Sequence, residues 1–113
     1  MHEMSLCEGV VGLIEDEARQ HGFHRVKSVT LEIGVLGHVA PEAMAFCFEA
    51  VSNGTIADGA KLIIDQIPGS GWCLDCGKTV PLTERFGACP DCGQHHVQMT
   101  AGDELKVREL EVE

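Results

Sequence analysis

Cys73-Leu74-Asp75-Cys76-Gly77 and Cys89-Pro90-Asp91-Cys92-Gly93 are two turns of one design, with twelve residues between Cys76 and Cys89. Two intervening residues let both thiolates of a pair reach one ion, and glycine after the second cysteine permits a positive-φ turn whose N–H groups face sulfur. Two pairs complete a tetrahedron of protein ligands and leave no position for a substrate water, so the expected centre is structural. Thiolate coordination of this kind suits zinc, with iron as the main rival. Structural zinc supplies about 10–16 kcal/mol, more than so small a lobe gains from its own core. Residues 71–99 are therefore expected to form an inserted zinc-ribbon-like lobe on a domain made of residues 1–70 plus 100–113. Its cysteine-rich centre, residues 72–96, is expected to be disordered without metal.

The flanking sequence has ordinary periodicities. From Met4 to Gln20 apolar residues fall at Met4, Cys7, Val10, Val11, Ile14 and Ala18 with acidic residues between them, an amphipathic helix stopped at His21-Gly22. Val29, Leu31, Ile33 and Val35 alternate with Ser28, Thr30 and Glu32 as a half-buried strand, after which Gly34 and Gly37 are expected to loosen the chain. Pro41 suits the first turn of a second helix carrying Met44, Cys47, Phe48 and Val51, which Ser52-Asn53-Gly54 ends. Lys61 to Ile67 is apolar on both faces, which suggests an interior strand, and Pro68-Gly69 terminates it. In the last segment Leu105 and Val107 are in one phase and Leu110 and Val112 in the other, so a β-bulge near Arg108-Glu109 or a strand covered on both sides is needed. The expected fold class is α+β: a small mixed three-stranded sheet packed by two helices, with the four-cysteine lobe inserted before the last strand.

Composition narrows the function. At 113 residues the chain has room for one main core, and with 4% aromatic residues that core is aliphatic. Eight basic residues against 18 acidic ones give a formal charge of -10, which disfavours nucleic acid and anionic membrane as partners. No continuous apolar run is long enough for a membrane span. Met1-His2-Glu3 lacks the basic start of an export signal, so a cytoplasmic location is expected, where paired Cys-x-x-Cys motifs favour metal over disulfide.

The remaining candidates divide by position. Cys7 and Cys47 fall on the apolar faces of the two helices and read as core thiols. His21, His24 and His38 lie near turns with no partner at ligand spacing and read as solvated; His95 and His96, just past the second knuckle, are surface residues or tune the metal lobe. At the chain start, the Met1 α-amine, the His2 amide and the His2 imidazole can form adjoining chelate rings, with Glu3 adding an amide nitrogen or its carboxylate. Planar nitrogen-rich sets favour Ni(II) or Cu(II). From the residues alone three readings stay open: a chelating amino terminus, a rubredoxin-like iron electron carrier, and a zinc-ribbon protein-interaction module.

Met1-His2-Glu3-Met4-Ser5-Leu6-Cys7 opening a helix, Leu31-Glu32-Ile33-Gly34, Ala45-Phe46-Cys47-Phe48 and the two cysteine pairs together resemble the HypA/HybF hydrogenase nickel-incorporation proteins over essentially the whole chain. The resemblance implies a non-enzymatic nickel metallochaperone in which Met1, His2 and Glu3 bind nickel as transferred cargo and Cys73, Cys76, Cys89 and Cys92 hold structural zinc. It implies as partners a maturation GTPase and the large subunit of nickel-iron hydrogenase, and some members also serve urease maturation. Gly93 stands where some members carry a histidine, so no role of that histidine carries over.

Overall fold

The computed structural model describes residues 2–113, and Met1 lies outside the described residues. The elements run α1 (His2–His21), β1 (Val26–Gly34), α2 (Pro41–Ser52), β2 (Lys61–Ile67), β3 (Gly69–Cys73), β4 (Lys78–Leu82), β5 (Val97–Ala101) and β6 (Leu105–Val112). They form two three-stranded sheets, ordered β2-β1-β6 and β4-β3-β5. The fold is mixed α+β, as the periodicities require.

By contacts the chain divides into two units. The first comprises residues up to Leu31, Val39–Asp65 and Lys106–Glu113; the second comprises Glu32–His38 and Gln66–Leu105. The 71–99 segment lies within the second, which is wider by residues 32–38, 66–70 and 100–105.

In the first unit α1 buries Cys7, Val10, Val11 and Ile14, one stripe of a helical wheel. Full burial of a side chain such as Ile14 contributes roughly 1.5–3 kcal/mol. The helix stops where Gly22 takes φ 74 and its N–H bonds the Ala18 carbonyl at 2.8 Å, a left-handed C-terminal turn that glycine adopts without a Cβ penalty. Pro41 occupies the first turn of α2, whose buried face is Met44, Cys47, Phe48 and Ser52. The two helices pack against each other, and Cys7 Sγ meets the Met44 carbonyl at 3.5 Å and its sulfur at 3.8 Å. Both cysteines expected in the core are there. Burial pushes the Cys7 thiol up to about 11, with Cys47 adding to the rise.

Two expectations are corrected. β2 is an edge strand beside the central β1, and none of its residues is fully buried. Its apolar residues on both faces reflect partial cover on each side, which sequence does not separate from full cover. Gly34 does not loosen the chain: a Cβ there would stand 2.1 Å from the Gly102 backbone, so glycine is needed for close approach. The cysteine lobe adds strands that the sequence reading did not pick out, since β3 pairs antiparallel with both β4 and β5. Those strands are five residues each and one contains Pro81, too short and interrupted to stand out as a pattern.

In β6 the inner side chains are Leu105, Val107 and Leu110, while Arg108 and Glu109 are both exposed. The phase of the strand therefore changes at the pair where the sequence demands it.

Candidate metal centres

The second unit is built around sulfur. Cys73 ends β3, Cys76 follows in the turn to β4, and Cys89 and Cys92 lie in the turn that precedes β5. Cys73 and Cys89 are buried with Val80, and Val97 packs on them, while Cys76 and Cys92 are accessible. The backbone repeats itself in the two turns. Gly77 N–H bonds the Cys73 carbonyl at 2.8 Å and Gly93 N–H bonds the Cys89 carbonyl at 2.8 Å. Both glycines take positive φ, 67 and 76, in open space. The Cys76 N–H points at Cys73 Sγ across 3.4 Å.

The four Sγ atoms all lie within 4.8 Å of one another. Cys73 and Cys92 sulfurs are 3.7 Å apart and those of Cys76 and Cys89 are 3.9 Å apart. A tetrahedron with metal–sulfur bonds of about 2.3 Å has edges of about 3.8 Å. The sulfurs are thus spaced for a common ion and far too distant for the ~2.05 Å bond of a disulfide. The four-cysteine site fits zinc.

Its electrostatics favour the same occupant. The backbone N–H of Cys92, helped by that of Asp91, draws the Cys89 thiol down to about 7. The neighbouring thiols of Cys92 and Cys73 push Cys76 up to about 12. Thiolates at this spacing repel one another, and a divalent cation converts that repulsion into attraction.

Two polar side-chain contacts tie the knuckles together. Asp75, in the first knuckle, bonds His96 Nδ1 at 2.8 Å beyond the second. Asp91, in the second, meets Lys78 Nζ at 2.5 Å beyond the first. The contacts are reciprocal, and both are solvent-exposed, so they orient the knuckles more than they stabilise them. Sequence reading passed over Lys78, Asp75 and Asp91, although an Asp before the second cysteine of both pairs was a legible sign. Neither His95 nor His96 joins the sulfur cluster; His95 Nδ1 faces the Phe86 carbonyl at 3.3 Å.

The other expected site begins α1. Met1 lies outside the described residues, His2 is the first residue of the helix, and Glu3 follows. The His2 side chain is 57% exposed and that of Glu3 only 21%. Glu3 Oε2 is 3.8 Å from His2 Nδ1 and accepts the Ala40 N–H at 3.3 Å. The carboxyl is held below the usual range by its own backbone N–H, then by that of Ala40, with His2 adding. His21, His24 and His38 are exposed, and His21 faces Glu17 at 3.2 Å on the same helix. No described helix is long and apolar enough to cross a membrane.

Known proteins match this chain from end to end. The family model described as hydrogenase/urease nickel incorporation, metallochaperone, HypA matches residues 1–112. A hydrogenase maturation factor HypA of Rhizobium leguminosarum bv. viciae is 66% identical over 112 residues, covering 99% of each chain. One from Rhodopseudomonas palustris strain BisA53 is 61% identical over 113 residues, covering 100% of both. The solution structure of the nickel metallochaperone HypA from Helicobacter pylori shares the fold at a TM-score of 0.73 and 23% identity, over 97% of this chain and 96% of that one. A further solution structure of a HypA protein gives 0.75 and 25%, over 99% and 96%. Full-length coverage, high identity and a four-sulfur centre agree: the chain belongs to the HypA family of hydrogenase/urease nickel metallochaperones, maturation factors rather than enzymes.

Proposed function

We propose that this chain binds Ni(II) through Met1, His2 and Glu3 and delivers it during maturation of nickel-iron hydrogenase, while Cys73, Cys76, Cys89 and Cys92 hold a structural zinc ion. The observation that carries the nickel site is the exposed His2 imidazole on the first residue of α1, inside a family match that includes residue 1. The first four N–H groups of a helix have no intrahelical acceptor, so deprotonating an amide there to bind metal breaks no helical hydrogen bond. The helix thus starts where the chelate needs free nitrogen.

The division of labour follows from ligand chemistry. A closed tetrathiolate fixes residues 71–99 as a metal-held lobe, and residues 1–70 with 100–113 form the nickel-binding domain. Contiguous nitrogen donors at a chain end can be surrendered one at a time to a recipient's ligands, which a buried cage would not allow. Amine and imidazole must both lose protons to bind, so nickel affinity falls as pH drops through the histidine range. The partners this reading implies are the pathway's maturation GTPase and the hydrogenase large subunit, with urease maturation proteins as further candidates, all in the cytoplasm.

The test is native mass spectrometry of untagged protein titrated with nickel in the presence of zinc. One zinc per chain and one further nickel are expected. His2→Ala, or any amino-terminal extension that turns the α-amine into an amide, removes the nickel and spares the zinc. Nickel retained by His2→Ala would sink the assignment.

A further inference from the structure

We propose that Glu3 is a positioning residue whose carboxylate caps α2 from outside and so ties the start of α1, which carries His2, to the start of α2, rather than a carboxylate ligand of the nickel ion. The inference rests on the amino-terminal nickel site and deepens it by dividing the work of adjacent residues.

α2 begins without a cap of its own. Its N-cap residue is Ala40, which has no side chain able to accept a hydrogen bond, and Pro41 occupies the first turn. A capping box would satisfy the N-cap N–H with a Glu or Gln three residues into the same helix. That position is Ala43, which cannot accept. Glu3, 37 residues away in sequence, supplies the missing acceptor: its Oε2 takes the Ala40 N–H at 3.3 Å.

The same oxygen is 3.8 Å from His2 Nδ1, the imidazole nitrogen nearest the backbone and the one able to close a chelate ring with the His2 amide. The oxygen therefore bonds the cap of α2 and stops short of hydrogen-bond reach of the imidazole, which leaves Nδ1 open to metal. The exposures agree with this arrangement, since His2 turns to solvent at 57% while Glu3 is largely covered at 21%. If the carboxylate moved to the metal, the Ala40 N–H at the amino end of α2 would lose its side-chain acceptor. Glu3 stays free to contribute a backbone nitrogen.

Conservative and deleting substitutions separate the two roles. Glu3→Gln keeps an acceptor oxygen but is a poor metal ligand; Glu3→Ala keeps neither. Calorimetric nickel affinity should stay within about threefold of the parent in Glu3→Gln and fall by about 10–100-fold in Glu3→Ala, as for lost outer-shell partners. In nickel-free protein, amide exchange at Ala40 should quicken in Glu3→Ala and be largely restored in Glu3→Gln. Ala40 has φ -80 and ψ 121, values that proline accommodates, so Ala40→Pro deletes the donor with little backbone conflict. Glu3→Ala should then cost nothing further in nickel affinity.

Equal loss in Glu3→Gln and Glu3→Ala would give the carboxylate to nickel and overturn the proposal. So would unchanged Ala40 exchange in Glu3→Ala, or a further loss in the Ala40→Pro background. The exchange measurement needs no nickel, so its failure is distinguishable from failure of the terminal site, which His2→Ala decides.

Discussion

Cysteine does two different jobs in the two units. In the first, Cys7 and Cys47 are buried between helices, and burial pushes the Cys7 thiol up to about 11. In the second, Cys89 is buried too, yet backbone N–H groups from its own knuckle draw it down to about 7. Neither Cys7 nor Cys89 is open to solvent, although Cys89 has far less protein packed around it, and their chemistry is opposite. What differs is where the backbone donors point. A helix spends its interior N–H groups on its own carbonyls, so a thiol on its face meets apolar side chains and a carbonyl but no N–H donor, whereas a knuckle turn leaves N–H groups free to face sulfur. The first arrangement makes a packing residue and the second makes a ligand.

The comparison breaks most decisively if metal is removed. Chelation should take away roughly 10–16 kcal/mol from the second unit, where Val80 and Val97 pack on the cysteines and Leu36 and Leu82 are buried besides. Backbone amide resonances of residues 69–101 should collapse toward unstructured positions while those of α1 and α2 keep their dispersion. A folded apo lobe would show that the short strands stand without the ion.

Attacking the other unit should do the reverse. Ile14 has no exposed surface, and Ile14→Ala should cost about 2–5 kcal/mol by loss of contacts and the cavity it leaves. Denaturant unfolding followed by helical circular dichroism reads the loss, and zinc stoichiometry should stay at one per chain. Zinc lost along with the helices would mean that the units are not energetically separable.

These features differ in how legible they were. The helices and the four cysteines stood out because each follows a repeat within one segment: Cys7, Val10, Val11 and Ile14 at helical spacing, and Cys-x-x-Cys twice. The strands of the second unit did not, because β4 and β5 have too few residues to establish an alternation. The edge position of β2 was hidden because Leu62, Ile64 and Ile67 are half-covered on a strand with a pattern typical of a central one. The contact between Glu3 and Ala40 joins residues 37 apart, and no local pattern announces it. Sequence shows what one element does to itself; which elements share a hydrogen bond is a property of the fold.

Thiol chemistry sharpens the comparison further. In apo protein at neutral pH, iodoacetamide should label Cys73, Cys76, Cys89 and Cys92 at least about a hundredfold faster than Cys7, since the attacking species is the thiolate. The order rests on the lobe opening when metal is removed, which turns its four cysteines into exposed ordinary thiols. These ionise more readily than a thiol displaced to about 11, whereas a lobe that stayed closed would keep Cys76 as slow as Cys7. Peptide mapping of the labelled protein reads the rates, and comparable labelling of Cys7 would show that the helix interface opens freely.

The smallest effect is a pH dependence confined to the helical unit. Cys7 has an ordinary thiol value of 9.0 when unfolded and about 11 when folded. Below pH 9 both states keep the proton, and the stabilisation from holding Cys7 neutral is fully present. Above it the unfolded chain ionises while the folded one does not, so unfolding releases a proton and stability falls with rising pH until the folded thiol also titrates near 11. Cys7→Ala removes the group from both states. The variant should start less stable, because Cys7 packs on Met44, but its unfolding midpoint should change less between pH 9 and 11 than that of the parent. Parallel curves for the two proteins would place the alkaline loss elsewhere. They would also show that the Cys7 environment is wetter than its zero exposure implies, and the contrast with Cys89 would then reduce to the knuckle alone.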